Sequence, residues 1–167
     1  FNNGEIIDEY HKQILPNYSV FDEKRLFKEG DSSLIISYKN KNIGFHICED
    51  SWDINHKSSE DLINKIDYLI NISASPYHKE KSEERKKILS SAAKKINTTL
   101  IYCNLIGGQD ELVFDGGSLV ISNNGKILSS ADNFKEEIFE WHIDKNVNSK
   151  KSSLEEEIYE ALKLGLN

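Results

Sequence analysis

Methionine is absent from the 167 residues, and proline, cysteine and tryptophan occur twice each. No apolar run approaches the roughly 18 residues of a membrane span. No basic segment near the amino end leads into a short apolar stretch of the kind that directs secretion. Cys48 and Cys103, without a secretory signal or a CxxC pair, suggest neither a disulfide framework nor a zinc site, so no metal is expected. The expected setting is reducing and cytoplasmic, with no membrane partner. Arginine is scarce too: of 21 Lys+Arg, only Arg25 and Arg85 are arginine. Against 28 acidic residues the net charge is −7, which disfavours a phosphate-seeking surface and argues for no nucleic-acid partner. Heavy use of Lys, Asn and Ile reads as a codon-composition bias, and it discounts any lysine cluster as a signal. The first residue is Phe1, and a piece of a longer protein is expected.

With 38 % hydrophobic residues the chain can bury a core, and its length suits one domain of ordinary size. Apolar runs at 34–38 and 41–47 around Asn40-Lys41-Asn42 predict a hairpin. Further strands are predicted at 68–72, 98–103 and 118–122, the last closed by Asn123-Asn124-Gly125. Alternation from Glu137 to Ile143 predicts a half-buried strand. Ile88, Leu89, Ala92, Ala93 and Ile96 form one stripe of a helix over 80–96. Its other face, Glu83, Glu84, Arg85, Lys86, Lys87, Lys94 and Lys95, reads as solvated. A shorter helix is predicted at 61–66, and residues 1–30 read as loop. Strand–helix–strand repetition with continuous apolar strands predicts a layered α/β fold. After a polar linker at 144–153, Leu154, Ile158, Ala161, Leu162 and Gly165 begin a new helical stripe, expected to open a second domain.

Cys48 ends an apolar strand and precedes Glu49-Asp50-Ser51-Trp52-Asp53, a switch that puts its thiol at a strand's C-terminal end, where α/β folds hold ligands. A helix starting there would lower the thiol pKa; the plainer alternative is a small buried hydrophobe. Cys103 lies within a strand and reads as structural. A thiol nucleophile needs a base and an oxyanion partner. His46, two residues before Cys48 on the same strand, is too constrained to serve, and the remaining histidines have no helpful spacing. Lys12 and Glu23, in the N-terminal loop, supply a cation and a carboxylate.

Lys12 to Arg25, Ile47-Cys48-Glu49-Asp50-Ser51-Trp52, Asn71 to Tyr77, and Asn104 with Gly107 to Ser118 together resemble the carbon–nitrogen hydrolase (nitrilase) superfamily. More narrowly, they resemble the glutaminase domain of glutamine-dependent NAD synthetases. The segment 156–166 resembles the entry into the synthetase domain of those enzymes. The resemblance implies a partial αββα sandwich over 1–143, a linker at 144–153, and the first helix of a synthetase domain at 154–167. It implies Cys48 as nucleophile, Lys12 as the triad lysine and Glu23 as a supporting glutamate. Tyr18, Ser75 and Lys81 match glutamine-contacting positions, and the Glu49 N–H would join Lys12 in holding the oxyanion. The family's general-base glutamate is expected upstream of Phe1. Glutamine and the synthetase domain are the implied partners, in a homo-oligomer. No cofactor is implied for this chain; ATP and Mg would belong to the synthetase domain. Another nitrilase-type amidase, or a non-catalytic docking module, is the alternative reading.

Overall fold

A computed structural model describes residues 3–142 and 152–166. In chain order the elements are α1 (Glu23–Leu26), β1 (Ile35–Tyr38), β2 (Lys41–Ile47), a 3-10 turn (Cys48–Ser51) and α2 (Lys57–Glu60). They continue with β3 (Tyr68–Ser73), α3 (Lys81–Ile96), β4 (Thr99–Asn104), β5 (Ile106–Gln109) and β6 (Leu112–Asp115). Last come β7 (Leu119–Ile121), β8 (Ile127–Ser130) and α4 (Leu154–Gly165).

Six strands form one sheet in the order β1-β2-β3-β4-β7-β8, and β5 pairs with β6 as a separate hairpin. The central strands β2, β3 and β4 are parallel, with Phe45 beside Ile70 and Ile70 beside Ile101. The β1–β2 turn is Lys39-Asn40, both at positive φ, which sets the two-residue geometry that a right-twisted hairpin prefers. It falls just ahead of the expected Asn40–Asn42 turn.

Register decides which side chains meet. Leu69, Leu100, Tyr102, Leu119 and Ile121 share the sheet face on which α3 lies, and join Leu89, Ala92, Ala93 and Ile96 in the buried cluster. Each fully buried Leu or Ile there is worth about 1.5–3 kcal/mol. On the opposite face Ile72 is 57 % exposed and Cys103 is exposed. Helix α3 runs as predicted and stops at Asn97, whose left-handed φ of 61° ends the helix.

Four expectations need correction. The segment 1–30 is not all loop, since Glu23–Leu26 close one helical turn, α1. The short helix is α2 at Lys57–Glu60, followed by turns through 61–65, because the His56 ring accepts from the Ser58 N–H and starts the helix earlier. Residues 137–142 form no regular strand, although Phe139 and Trp141 are half-buried and Ile138, Glu140 and His142 exposed. The alternation therefore records contact along one side without a ladder. Ile143 and most of the predicted linker lie outside the described residues. Arg85, read as solvated, is 2 % exposed and paired with Asp115. Helix α4 forms as expected, with Ser153 and Glu156 capping its first turn reciprocally. Its last turn lies against the β5–β6 hairpin, where Gly165 approaches Val113.

Candidate active site

Strand β2 delivers Cys48 to the edge of a cavity, and the chain turns there at φ +47°, a left-handed conformation that costs a non-glycine residue of order 1 kcal/mol. Asp50 holds the turn. Its Oδ2 accepts from the Ile47 N–H at 3.0 Å and from the Tyr10 hydroxyl at 2.8 Å. Its Oδ1 accepts from the N–H groups of Gln13 at 3.0 Å and Ile14 at 2.8 Å. One buried carboxylate thus ties the Cys48 turn to the loop that carries Lys12.

A second network fixes the turn from the sheet. Asn71 Nδ2 donates to the Cys48 carbonyl at 3.1 Å and to Ser51 Oγ at 2.6 Å. His46 Nδ1 lies 2.9 Å from Ser51 Oγ and its Nε2 3.2 Å from the Ser58 carbonyl. A carbonyl only accepts, so Nε2 carries the proton and the Ser51 hydroxyl donates to Nδ1. Burial holds the His46 pKa below its ordinary value. The ring is a structural tie.

The N-terminal loop doubles back. Glu23 N–H donates to the Pro16 carbonyl at 3.2 Å and Gly30 N–H to the Lys12 carbonyl at 2.8 Å. Lys12 Nζ sits between both Glu23 oxygens, at 2.7 and 2.6 Å, with the two side chains 12 % and 23 % exposed. This ion pair lines a pocket next to Ile47, immediately before Cys48. Burial pushes the Cys48 thiol up, the Lys12 ammonium and Ser73 hydroxyl pull it down, and Glu49 and Glu23 raise it again. The net direction is upward, so the expected lowering does not hold. A single four-residue 3-10 turn is too short to carry a helix macrodipole.

On its other side Cys48 opens into a cavity of about 290 Å³ that Tyr18, Glu49, Trp52, Ser75 and Lys81 also line. Tyr18 donates its hydroxyl proton to Glu49 Oε1 at 2.7 Å. Lys81 Nζ lies 3.9 Å from the Trp52 ring centroid and 3.0 Å from Glu84 Oε2, with its side chain 13 % exposed. The structure thus gathers Cys48, Tyr18, Glu49, Ser75 and Lys81 around one space. Lys12 and Glu23 stand beside that space and act on the thiol by charge. Asp50 and Asn71 are ties that sequence reasoning assigned no role, and Arg85 it misplaced. Among the described residues, no group of three or more His, Cys, Asp and Glu is placed to hold a metal ion. No helix among them is long and apolar enough to cross a membrane.

A sheet that ends at a cavity-lining thiol, with an ammonium–carboxylate pair beside it, is the arrangement of a thiol hydrolase of the α/β class. The chain belongs to the carbon–nitrogen hydrolase family, whose profile matches residues 1–151. It is 43 % identical over 147 residues to the glutamine-dependent NAD(+) synthetase of Thermotoga maritima, a match covering 87 % of this chain and 26 % of that protein. The corresponding protein of Acinetobacter baylyi is 39 % identical, over 85 % of this chain and 26 % of its own length. The solved glutamine-dependent NAD+ synthetase of Acinetobacter baumannii superposes with a TM-score of 0.90 at 37 % identity, covering 99 % of this chain and 32 % of that one. An amidase from Nesterenkonia sp. AN1 shares the fold, with a TM-score of 0.66 at 23 % identity over 77 % of this chain and 49 % of that one. The chain thus spans about a quarter of the length of the curated relatives it matches.

Proposed function

We propose that this chain is the glutamine-hydrolysing part of a glutamine-dependent NAD synthetase. Residues 1–143 are the hydrolase unit, 144–153 a linker and 154–167 the first helix of the synthetase unit. The single cavity shared by Cys48, Tyr18, Glu49, Ser75 and Lys81 carries the reading. Free glutamine has a carboxylate and an ammonium at one end and a neutral amide at the other. Lys81, held over Trp52, offers a cation for the carboxylate, and Glu49 with Tyr18 offers acceptors for the ammonium. Ser75 contributes its hydroxyl to the bound chain.

The Cys48 sulfur gives up its proton to a carboxylate base and attacks the amide carbon. Negative charge that develops on the amide oxygen is met by the Lys12 ammonium and the Glu49 N–H. The C–N bond breaks as nitrogen takes the proton, ammonia leaves, and a thioester remains on Cys48. Water then attacks the thioester, giving glutamate and restoring the thiol. Glu23 holds Lys12 in place. Both carboxylates beside Cys48 are engaged, Glu23 by Lys12 and Glu49 by Tyr18, so a third carboxylate is needed as the base. In the whole protein, ammonia passes to a synthetase unit that uses ATP and Mg to convert nicotinic acid adenine dinucleotide into NAD, within a cytoplasmic homo-oligomer.

Covalent capture tests the reading: a glutamine-analogue diazo ketone, diazo-oxo-norleucine, labels Cys48 and free glutamine slows the labelling. Failure of glutamine to protect overturns it.

A further inference from the structure

Behind Ser75 lies a buried ion pair. Arg85, on α3, is 2 % exposed, and Asp115, at the end of β6, is 0 % exposed. Arg85 Nη2 donates to Asp115 Oδ1 at 3.0 Å and Nη1 to Oδ2 at 3.2 Å, the two-pronged geometry of a guanidinium on a carboxylate. The same nitrogens reach further. Nη1 lies 3.4 Å from the Gly116 carbonyl, and Nη2 lies 3.5 Å from both the carbonyl and the hydroxyl oxygen of Ser75.

Asn104 completes the cradle. Its Oδ1 accepts from the Ser75 N–H at 2.9 Å, while Nδ2 donates to the carbonyls of Gly116 at 3.0 Å and Ser75 at 3.3 Å. Ser75 is therefore gripped at its N–H, its carbonyl and its hydroxyl by two side chains from two elements, Asn104 of β4 and Arg85 of α3. The turn after Asp115 makes this possible. Gly116 and Gly117 take φ of +66° and +64°, and a Cβ at Gly116 would sit 2.5 Å from Ile106 Cγ1.

A buried ion pair is a poor device for stability alone, since apolar residues of similar volume often do as well or better. This chain also meets nearly every need for a cation with lysine, and arginine stands at only two positions. A lysine ammonium is a point charge and cannot span the two Asp115 oxygens and Ser75 together. Resting on the glutaminase reading above, we propose that Arg85, aligned by Asp115, is a positioning residue that sets Ser75 against Cys48 and so fixes where the substrate's side chain lies over the sulfur.

The test compares two probes of Cys48 in the wild type, Arg85→Lys and the double variant Arg85→Met/Asp115→Leu. Diazo-oxo-norleucine must occupy the pocket before it alkylates, whereas iodoacetamide reports on the thiol alone. The double variant removes both charges, so no unpaired ion is left buried. Expected in both variants is a loss of at least tenfold in apparent affinity for diazo-oxo-norleucine, with iodoacetamide alkylation of Cys48 within threefold of wild type. Ser75→Ala should show the same loss, and combining it with Arg85→Lys should add little. Unchanged affinity in a folded variant overturns the proposal. So does loss of both reactivities together with the unfolding transition, which reduces the pair to a structural role. A wild type that labels without saturation counts against the glutaminase reading itself.

Discussion

Replacing Asp50 by Asn keeps the side chain's shape and removes one acceptor atom, which makes it a clean perturbation of the tie between the Lys12 loop and the Cys48 turn. The carboxylate accepts four hydrogen bonds, from Gln13 N–H, Ile14 N–H, Ile47 N–H and the Tyr10 hydroxyl. An amide whose oxygen serves Gln13 and Ile14 turns its NH₂ toward Ile47 N–H. The Tyr10 hydroxyl can rotate and accept, but the backbone N–H cannot, and a buried unsatisfied donor costs about 1–3 kcal/mol. The two retained bonds lose their charge assistance, about 1 kcal/mol each. The sum is about 3–5 kcal/mol, or a fall in Tm of about 6–20 °C at this chain length. Thermal unfolding followed by circular dichroism measures it. A Tm within about 2 °C of wild type would refute the argument that this carboxylate joins the two segments.

Two further outcomes follow from the charges around the turn. Lys12→Met removes the ammonium that pulls the Cys48 thiol down, so the pH midpoint of iodoacetamide alkylation should move up and the rate at pH 8 should fall; an unmoved profile contradicts it. His46 has its pKa depressed by burial, so below about pH 6.5 the unfolded chain binds a proton that the folded chain refuses. Its stabilising effect is complete above that pH and is lost as pH falls toward the folded value, at up to about 1.4 kcal/mol per pH unit. Urea unfolding between pH 5 and 7 should show this slope, and His46→Gln should flatten it.

The central strands were legible because parallel strands covered by a helix demand continuous apolar runs, and 68–72 and 98–103 are such runs. The β5–β6 hairpin was not, since Gly107-Gly108 and a short Val113-Phe114 give no strand period. Arg85 could have been placed by spacing: it stands four residues before Leu89, so the periodicity that turns Leu89, Ala92, Ala93 and Ile96 inward turns Arg85 inward too. Its charge masks that position. The scarcity of arginine in a lysine-rich chain was the second clue. No local pattern relates Lys12, Glu23 and Cys48, because a loop fold brings them near one another; only the resemblance to a known family assembled them. The thiol's upward shift was out of reach in the same way, since it follows from how deeply the fold buries Cys48.

Peptide mapping after reaction with diazo-oxo-norleucine tests most directly whether Cys48 is a glutamine-directed nucleophile. Cys103 serves as internal control, being the more exposed of the two free thiols. The account predicts one adduct, on Cys48, formed at a rate that saturates with reagent and falls when glutamine is added. Adduct on Cys103 in preference to Cys48, or labelling of Cys48 that glutamine leaves unchanged, would contradict it.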